Sequence, residues 1–154
     1  LGSLAPGRFR LGIGPAHEGN MARTYGVDFT APLTNLREYL TIITALLHHG
    51  EVDFTGKQVT ARTRLRTTTD TPVMGSALRP RSFELCGALA DGAISWMCPR
   101  DYLVREATPA LQRGAEHGKH RGGRPSLRVA RDGIGNGSMT RTSREPAEQF
   151  GQAE

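Results

Sequence analysis

Within Gly75-Ser76-Ala77-Leu78-Arg79-Pro80-Arg81 stand three small side chains, a proline and two arginines, a combination suited to holding an anion. Small residues let a ligand come close to the backbone. A proline at a helix's first position gives up no hydrogen bond, and the free N–H groups and dipole of that helix end favour a negative group such as phosphate. Arg79 and Arg81 bring positive charge to the same place. A second glycine-rich point, Gly12-Ile13-Gly14, lacks the dinucleotide fingerprint G-x-G-x-x-G, because His17 stands where the third glycine belongs. His17 and Asn20, in the polar loop that follows, are placed either to touch a ligand or to make local hydrogen bonds. Histidine titrates near neutrality, which makes His17 the candidate general acid or base. Trp96, at the end of an apolar run, suits stacking on a flat ring or closing a core. Cys98 has no activating base near it in sequence, so no nucleophile is assigned there. His48 and His49 point about 100° apart on a helix, which excludes a shared metal, and neither cysteine has a neighbour at ligand spacing. No metal site is expected.

These groups are positioned by the stretch from Pro72 to Met97. Two apolar runs, Pro72 to Ala77 and Ala93 to Met97, flank a joint at Leu78 to Arg81, a helical run from Ser82 to Ala90 and an Asp91-Gly92 break. The runs are too continuous for a sheet with one wet face, and the helix supplies the crossover that parallel strands need. A right-handed βαβ unit follows, with ligands beyond the carboxyl ends of its strands. Arg8 to Gly14 reads as another strand ending toward a ligand. Leu33, Leu36, Leu40, Ile43 and Leu47 form the strongest helical stripe, with Thr30 or Thr34 as its cap and Gly50 after its end. Met21 to Thr30 reads as irregular, with Tyr25 and Phe29 covering part of the core. Val52 to Val59 reads as a hairpin turning at Thr55-Gly56-Lys57, and Ala61 to Asp70 as a surface loop. Asp101 to Glu116 is helical in composition, with Asp101 as its cap and either a kink or a joint between two short helices at Pro109. Farther on, only Leu127 to Ala130 reads as a short strand and Ser143 to Glu154 as a short polar helix.

At 154 residues with 37% apolar content, the chain suits one domain with a modest core, and its 19 glycines and 9 prolines make it rich in loops. No apolar run approaches the roughly 18 residues of a membrane span, and the opening LGSLAPGRFR lacks the apolar centre of a signal peptide. A cytoplasmic protein with no membrane partner is expected, its two cysteines, Cys86 and Cys98, reduced. The net charge of +5 collects most densely between Gly118 and Arg131, without interleaved aromatics or a known binding motif, which argues against nucleic acid as a partner.

GRFRLGIGPAH, YGVDFTAPLTNLREYLTIITALLHHGEVDFTGK and PVMGSALRPRSFELCGALADGAISWM together resemble the luciferase-like monooxygenase superfamily. Within it they are most similar to oxidoreductases that use coenzyme F420, a deazaflavin. The resemblance covers about Leu4 to Ala115. It implies an α/β fold, an incomplete segment of a (β/α)8 TIM barrel, since such barrels take about 250 residues and neither end of this chain reads as a natural terminus. Residues 1–115 would be the partial barrel domain and 116–154 a divergent Gly/Arg-rich tail. The loop after PVMGSAL corresponds to the family's phosphate-contacting loop, which implies Gly75, Ser76, Ala77 and Leu78 as contacts for the phosphate end of the coenzyme. Arg79 stands where the family usually has glycine, so its side chain either pairs with that phosphate or obstructs it. His17 matches a histidine often found after the GIG strand, and Asn20 lies near a position that approaches the deazaflavin. Where a further strand of the VPVAVT type would follow Arg124-Pro125, the chain departs from the family, and a frame disturbance between about Val129 and Glu145 would account for it.

The activity implied is hydride transfer between F420 and an organic small-molecule substrate. Three other readings stand beside it: an FMN-dependent monooxygenase of the same superfamily, a barrel fragment without independent function, and a basic binding module built on the tail. An open piece of parallel barrel leaves edge strands unpaired, from which association into a homo-oligomer is expected.

Overall fold

The computed structural model describes residues 2, 4–26, 30–118 and 126–130. Four strands, β1 (Leu11–Ile13), β4 (Val73–Ser76), β5 (Gly92–Trp96) and β6 (Ser126–Ala130), form one parallel sheet in the order β1-β4-β5-β6. Ile13 lies opposite Gly75, Gly75 opposite Ala93, and Trp96 opposite Ala130. The expected βαβ unit is therefore present: α3 (Pro80–Leu89) crosses from β4 to β5 and starts at the proline chosen for it. Among the described residues the outer edges of β1 and β6 have no partner strand, so the barrel is open.

One face of the sheet carries the core. Val73, Ala77 and Ala93 pack against Leu36 and Leu40 of α2 (Pro32–His49), Phe83 and Cys86 of α3, and Leu111 of α5 (Thr108–His117). Burial pushes the Cys86 thiol up to about 12, so it behaves as a small apolar side chain. The opposite face carries Gly12, Gly14, Ser76 and Ile94: a Cβ on Gly12 would come within 2.8 Å of Ile94 Cδ1, and one on Gly14 within 2.6 Å of Ser76 Cβ. A closed barrel would bury that face, whereas here Trp96 is 55% exposed.

The crossover after β5 is broken as expected, though by a different device. α4 (Arg100–Tyr102) runs into a π-helical turn, Leu103–Ala107, and then into α5, with Pro109 in its first turn. Proline has no N–H to give and its ring crowds the carbonyl four residues back, so the wider turn just before it relieves both conflicts. Pro99, not Asp101, occupies the capping position.

Four expectations are corrected. Glu18–Tyr25 forms helix α1, closed by Gly26 at φ 63°, where irregular chain was expected. It has no apolar stripe, so periodicity missed it; the αL glycine was the available signal. Tyr25 is 70% exposed and covers no core, and Phe29 lies outside the described residues. Neither Thr30 nor Thr34 caps α2: Pro32 keeps the residue before it out of the right-handed α region, and Ala31 takes φ 49° at the cap. The expected hairpin is present but longer, β2 (Glu51–Thr55) pairing with β3 (Thr60–Arg64), so the start of the supposed surface loop is strand. The expected strand at Leu127 to Ala130 is β6, while the terminal helix and most of the supposed frame disturbance lie outside the described residues.

The hairpin turn is held by a carboxylate that periodicity placed on a helix and left without a role. Glu38 of α2, 4% exposed, accepts the backbone N–H groups of Lys57 (2.7 Å), Gln58 (3.0 Å) and Val59 (2.8 Å). Desolvation pushes its pKa up, but those three donors and the Lys57 charge outweigh it and hold the carboxyl below its ordinary value. A depressed carboxylate pKa adds stability above the unfolded value that is lost as pH falls through the folded one. Glu38→Gln keeps one acceptor oxygen and turns an amide N–H₂ toward backbone donors, so it is expected to lower the thermal midpoint at neutral pH. It should also flatten the decline of that midpoint between about pH 5 and about pH 3, the range in which carboxylates titrate. Thermal melts of both proteins across that range check this; parallel declines would contradict it.

Candidate functional site

The carboxyl ends of β1, β4 and β5 meet the N-termini of α2 and α3 around a cleft of about 420 Å³. Its walls are largely apolar, with Pro15, Pro32, Leu33, Leu36, Leu78 and Trp96, while His17, Ser76, Arg79, Arg81 and Ser82 supply the polar groups. The sheet explains the convergence: successive parallel strands release their chains at one end, and small residues at Gly14 and Ser76 keep β1 and β4 close there.

Of the residues proposed from sequence, His17, Ser76, Leu78, Arg79 and Trp96 are brought together in this cleft. Gly75 and Ala77 are buried and do not line it. A Cβ on Gly75 would crowd the Cys86 sulfur and approach Leu40 Cδ1 to 3.3 Å, so this glycine admits α2 and α3 to the back of the sheet. The Ala77 N–H is committed to the Ile94 carbonyl at 2.9 Å, which extends the β4–β5 pairing by one residue. Asn20 lies on α1. Sequence reasoning did not find Leu33, Leu36 and Ser82. The two leucines read only as core stripe, yet the first turns of α2 line the mouth.

The loop from Leu78 to Ser82 was expected to offer free N–H groups to an anion, and the geometry narrows that offer. Ser82 Oγ accepts from the Leu78 N–H (3.3 Å) and the Arg79 N–H (3.1 Å) and donates to the Arg79 carbonyl (2.7 Å). Pro80 has no N–H. Arg81 N–H is the first-turn donor left without a partner among the described residues. Among the described residues neither Arg79 nor Arg81 has an ion-pair partner, so both guanidinium groups can meet a negative ligand.

Other candidates resolve into structural roles. Cys98 Sγ lies 2.7 Å from Ser95 Oγ. His48 Nε2 meets the Thr71 carbonyl at 3.2 Å, while His49 is exposed. Among the described residues no three potential ligands cluster for a metal, and no helix is long and apolar enough to cross a membrane.

The sequence profile of the luciferase-like monooxygenase family matches residues 1–133. The chain belongs to that family. Solved structures agree on the fold. An F420-dependent secondary alcohol dehydrogenase in complex with an F420-acetone adduct superposes with a TM-score of 0.65 at 23% identity, over 77% of this chain and 38% of that one. A coenzyme F420 dependent tetrahydromethanopterin reductase from Methanopyrus kandleri gives a TM-score of 0.57 at 25% identity, over 71% of this chain and 37% of that one. This member of the family thus spans less than two fifths of either neighbour, as an α/β segment of an incomplete TIM barrel. Its match to the family runs through β6, beyond the residues that carried the resemblance in the sequence.

Proposed function

We propose that this chain carries the coenzyme-binding part of an oxidoreductase that transfers a hydride between coenzyme F420 and an organic small molecule. One observation carries the reading: a largely apolar cleft at the carboxyl ends of parallel strands has, at one side, two arginines and a helix N–H without partners among the described residues, and an exposed tryptophan in its wall. The residues fit such a group, since His17, Ser76, Arg79, Arg81 and Ser82 set polar and positive groups against a largely apolar wall. The F420-dependent neighbours support the choice of coenzyme.

When bound, the deazaflavin supplies the hydride chemistry and the protein supplies position and charge. Arg79, Arg81 and the Arg81 N–H hold its phosphate end, with Ser76 and Leu78 beside it. Trp96 offers its face to the ring. His17, at the rim, is the group placed to hold or deliver a proton through its imidazole nitrogen. We extend the proposal to the division of the chain at residue 115, to a cytoplasmic setting and to self-association through the open sheet edges.

Trp96 is the only tryptophan and stands in the cleft wall, so its fluorescence reports occupancy directly. Titration with F420 is expected to quench it saturably, and FMN to do so more weakly. A preference for FMN would overturn the choice of coenzyme, and the absence of saturation by either would overturn the reading.

A further inference from the structure

Tyr102 lies outside the cleft, on the short helix after β5, yet its hydroxyl reaches across 24 positions of sequence to the coenzyme loop. It donates to the Leu78 carbonyl at 2.8 Å. Its ring packs on the fully buried Phe83 of α3, centroids 6.4 Å apart and planes tilted by 55°, within the range of a favourable aromatic pair. Phe83 thus fixes the ring while the hydroxyl fixes the loop. From the other side Ser82 Oγ takes the N–H groups of Leu78 and Arg79. Leu78, 49% exposed and in the cleft wall, is held through its N–H by one helix and through its carbonyl by another. A carbonyl so held cannot rotate toward an incoming anion, and the backbone from which Arg79 projects is held with it. A loop already in its binding conformation does not have to be ordered when ligand arrives. Burial, then the neighbouring Cys98 and Glu106, push the pKa of Tyr102 above its ordinary value against the opposing effect of Arg79, so the hydroxyl remains a donor.

Building on the proposed coenzyme site, we infer that Tyr102 is its positioning residue, holding the Leu78–Arg79 loop in the conformation that binds the phosphate end of the coenzyme. Tyr102→Phe keeps the ring against Phe83 and removes only the hydroxyl. In the full chain it is expected to lower the thermal midpoint by no more than a few degrees, to raise the dissociation constant for F420 about fivefold, and to speed amide hydrogen exchange at Leu78 and Arg79 by a similar factor, the effect of one neutral hydrogen bond. Unchanged affinity and exchange would overturn the inference. So would a larger fall of the midpoint with faster exchange along all of α4 and α5, which would make Tyr102 a structural brace. If the wild-type chain takes up no F420, the coenzyme reading falls. The inference then stands or falls on whether Tyr102→Phe still speeds exchange at Leu78 and Arg79 and weakens binding of inorganic phosphate.

Discussion

Gly114→Leu is expected to cost about 3 kcal/mol or more and to leave little of the native fold, because α3 and α5 meet backbone to backbone. A Cβ on Gly114 would press into the Glu84 carbonyl oxygen and stand 3.0 Å from the Ala88 nitrogen. On the facing helix, a Cβ on Gly87 would press into the carbonyl of Leu111. The obstacles are backbone atoms on both sides, which no rotamer change can move. Relief requires α5 to lift from α3, which would uncover Ala107, Ala110 and Leu111, all within the core. Even Gly114→Ala, which would gain about 1 kcal/mol of helix propensity at an open site, is expected to destabilise here. Gly19 in α1 supplies the contrast: among the described residues nothing lies within 4 Å of where its Cβ would stand, so Gly19→Ala should stabilise by about 0.5–1 kcal/mol. Urea unfolding followed by Trp96 fluorescence measures all three. A Gly114→Ala protein as stable as the wild type would show that the two helices are not in that contact.

The second large effect concerns affinity. Arg79→Ala and Arg81→Ala each remove from the cleft a guanidinium with no ion-pair partner among the described residues, and hydrogen bonds to charged groups contribute about 1.5–3 kcal/mol. Both arginines are exposed, which screens them, so a loss of about tenfold in F420 affinity is expected for each and about a hundredfold for the pair. The difference should narrow at about 1 M salt, where the screening length shrinks to about 3 Å. Stability should not change, because neither side chain packs in the core. Arg79 carries the sharper consequence. Its position left open whether the side chain pairs with phosphate or blocks it, and its place in the cleft wall beside Arg81, with no ion-pair partner among the described residues, favours pairing. Tighter binding by Arg79→Ala, measured by the same titration, would mean obstruction.

What the sequence revealed follows from how far each interaction reaches along the chain. The βαβ unit and α2 were legible because their apolar residues repeat at the strand and helix periods and their ends carry Pro80, Gly50 and the Asp91-Gly92 break. α1 was not, since an exposed helix with no apolar stripe leaves only Gly26 to mark it. The cleft residues His17, Ser76, Leu78, Arg79 and Trp96 were found because strand ends are local features, and a parallel sheet brings those ends together. Gly75 lies within β4, and its packing role needed tertiary contact: Cys86 and Leu40 leave no room there for a side chain. Glu38 and Tyr102 lay beyond sequence reasoning, since their partners are about 20 or more positions away and nothing periodic links them. Ser82 is the intermediate case. A serine three residues into a helix is a familiar capping position, yet the capping box normally has its acceptor at the cap itself, and arginine has none to offer.

The central claim is that the phosphate end of a deazaflavin coenzyme sits at the start of α3. Backbone amide NMR of the full chain, titrated with F420, tests it most directly. The largest shift is expected at the Arg81 N–H, the first-turn donor without a partner among the described residues, with smaller shifts at Leu78, Arg79 and Trp96, and inorganic phosphate is expected to move Arg81 alone. Shifts confined to the hairpin, or an Arg81 resonance unmoved at saturation, would contradict it.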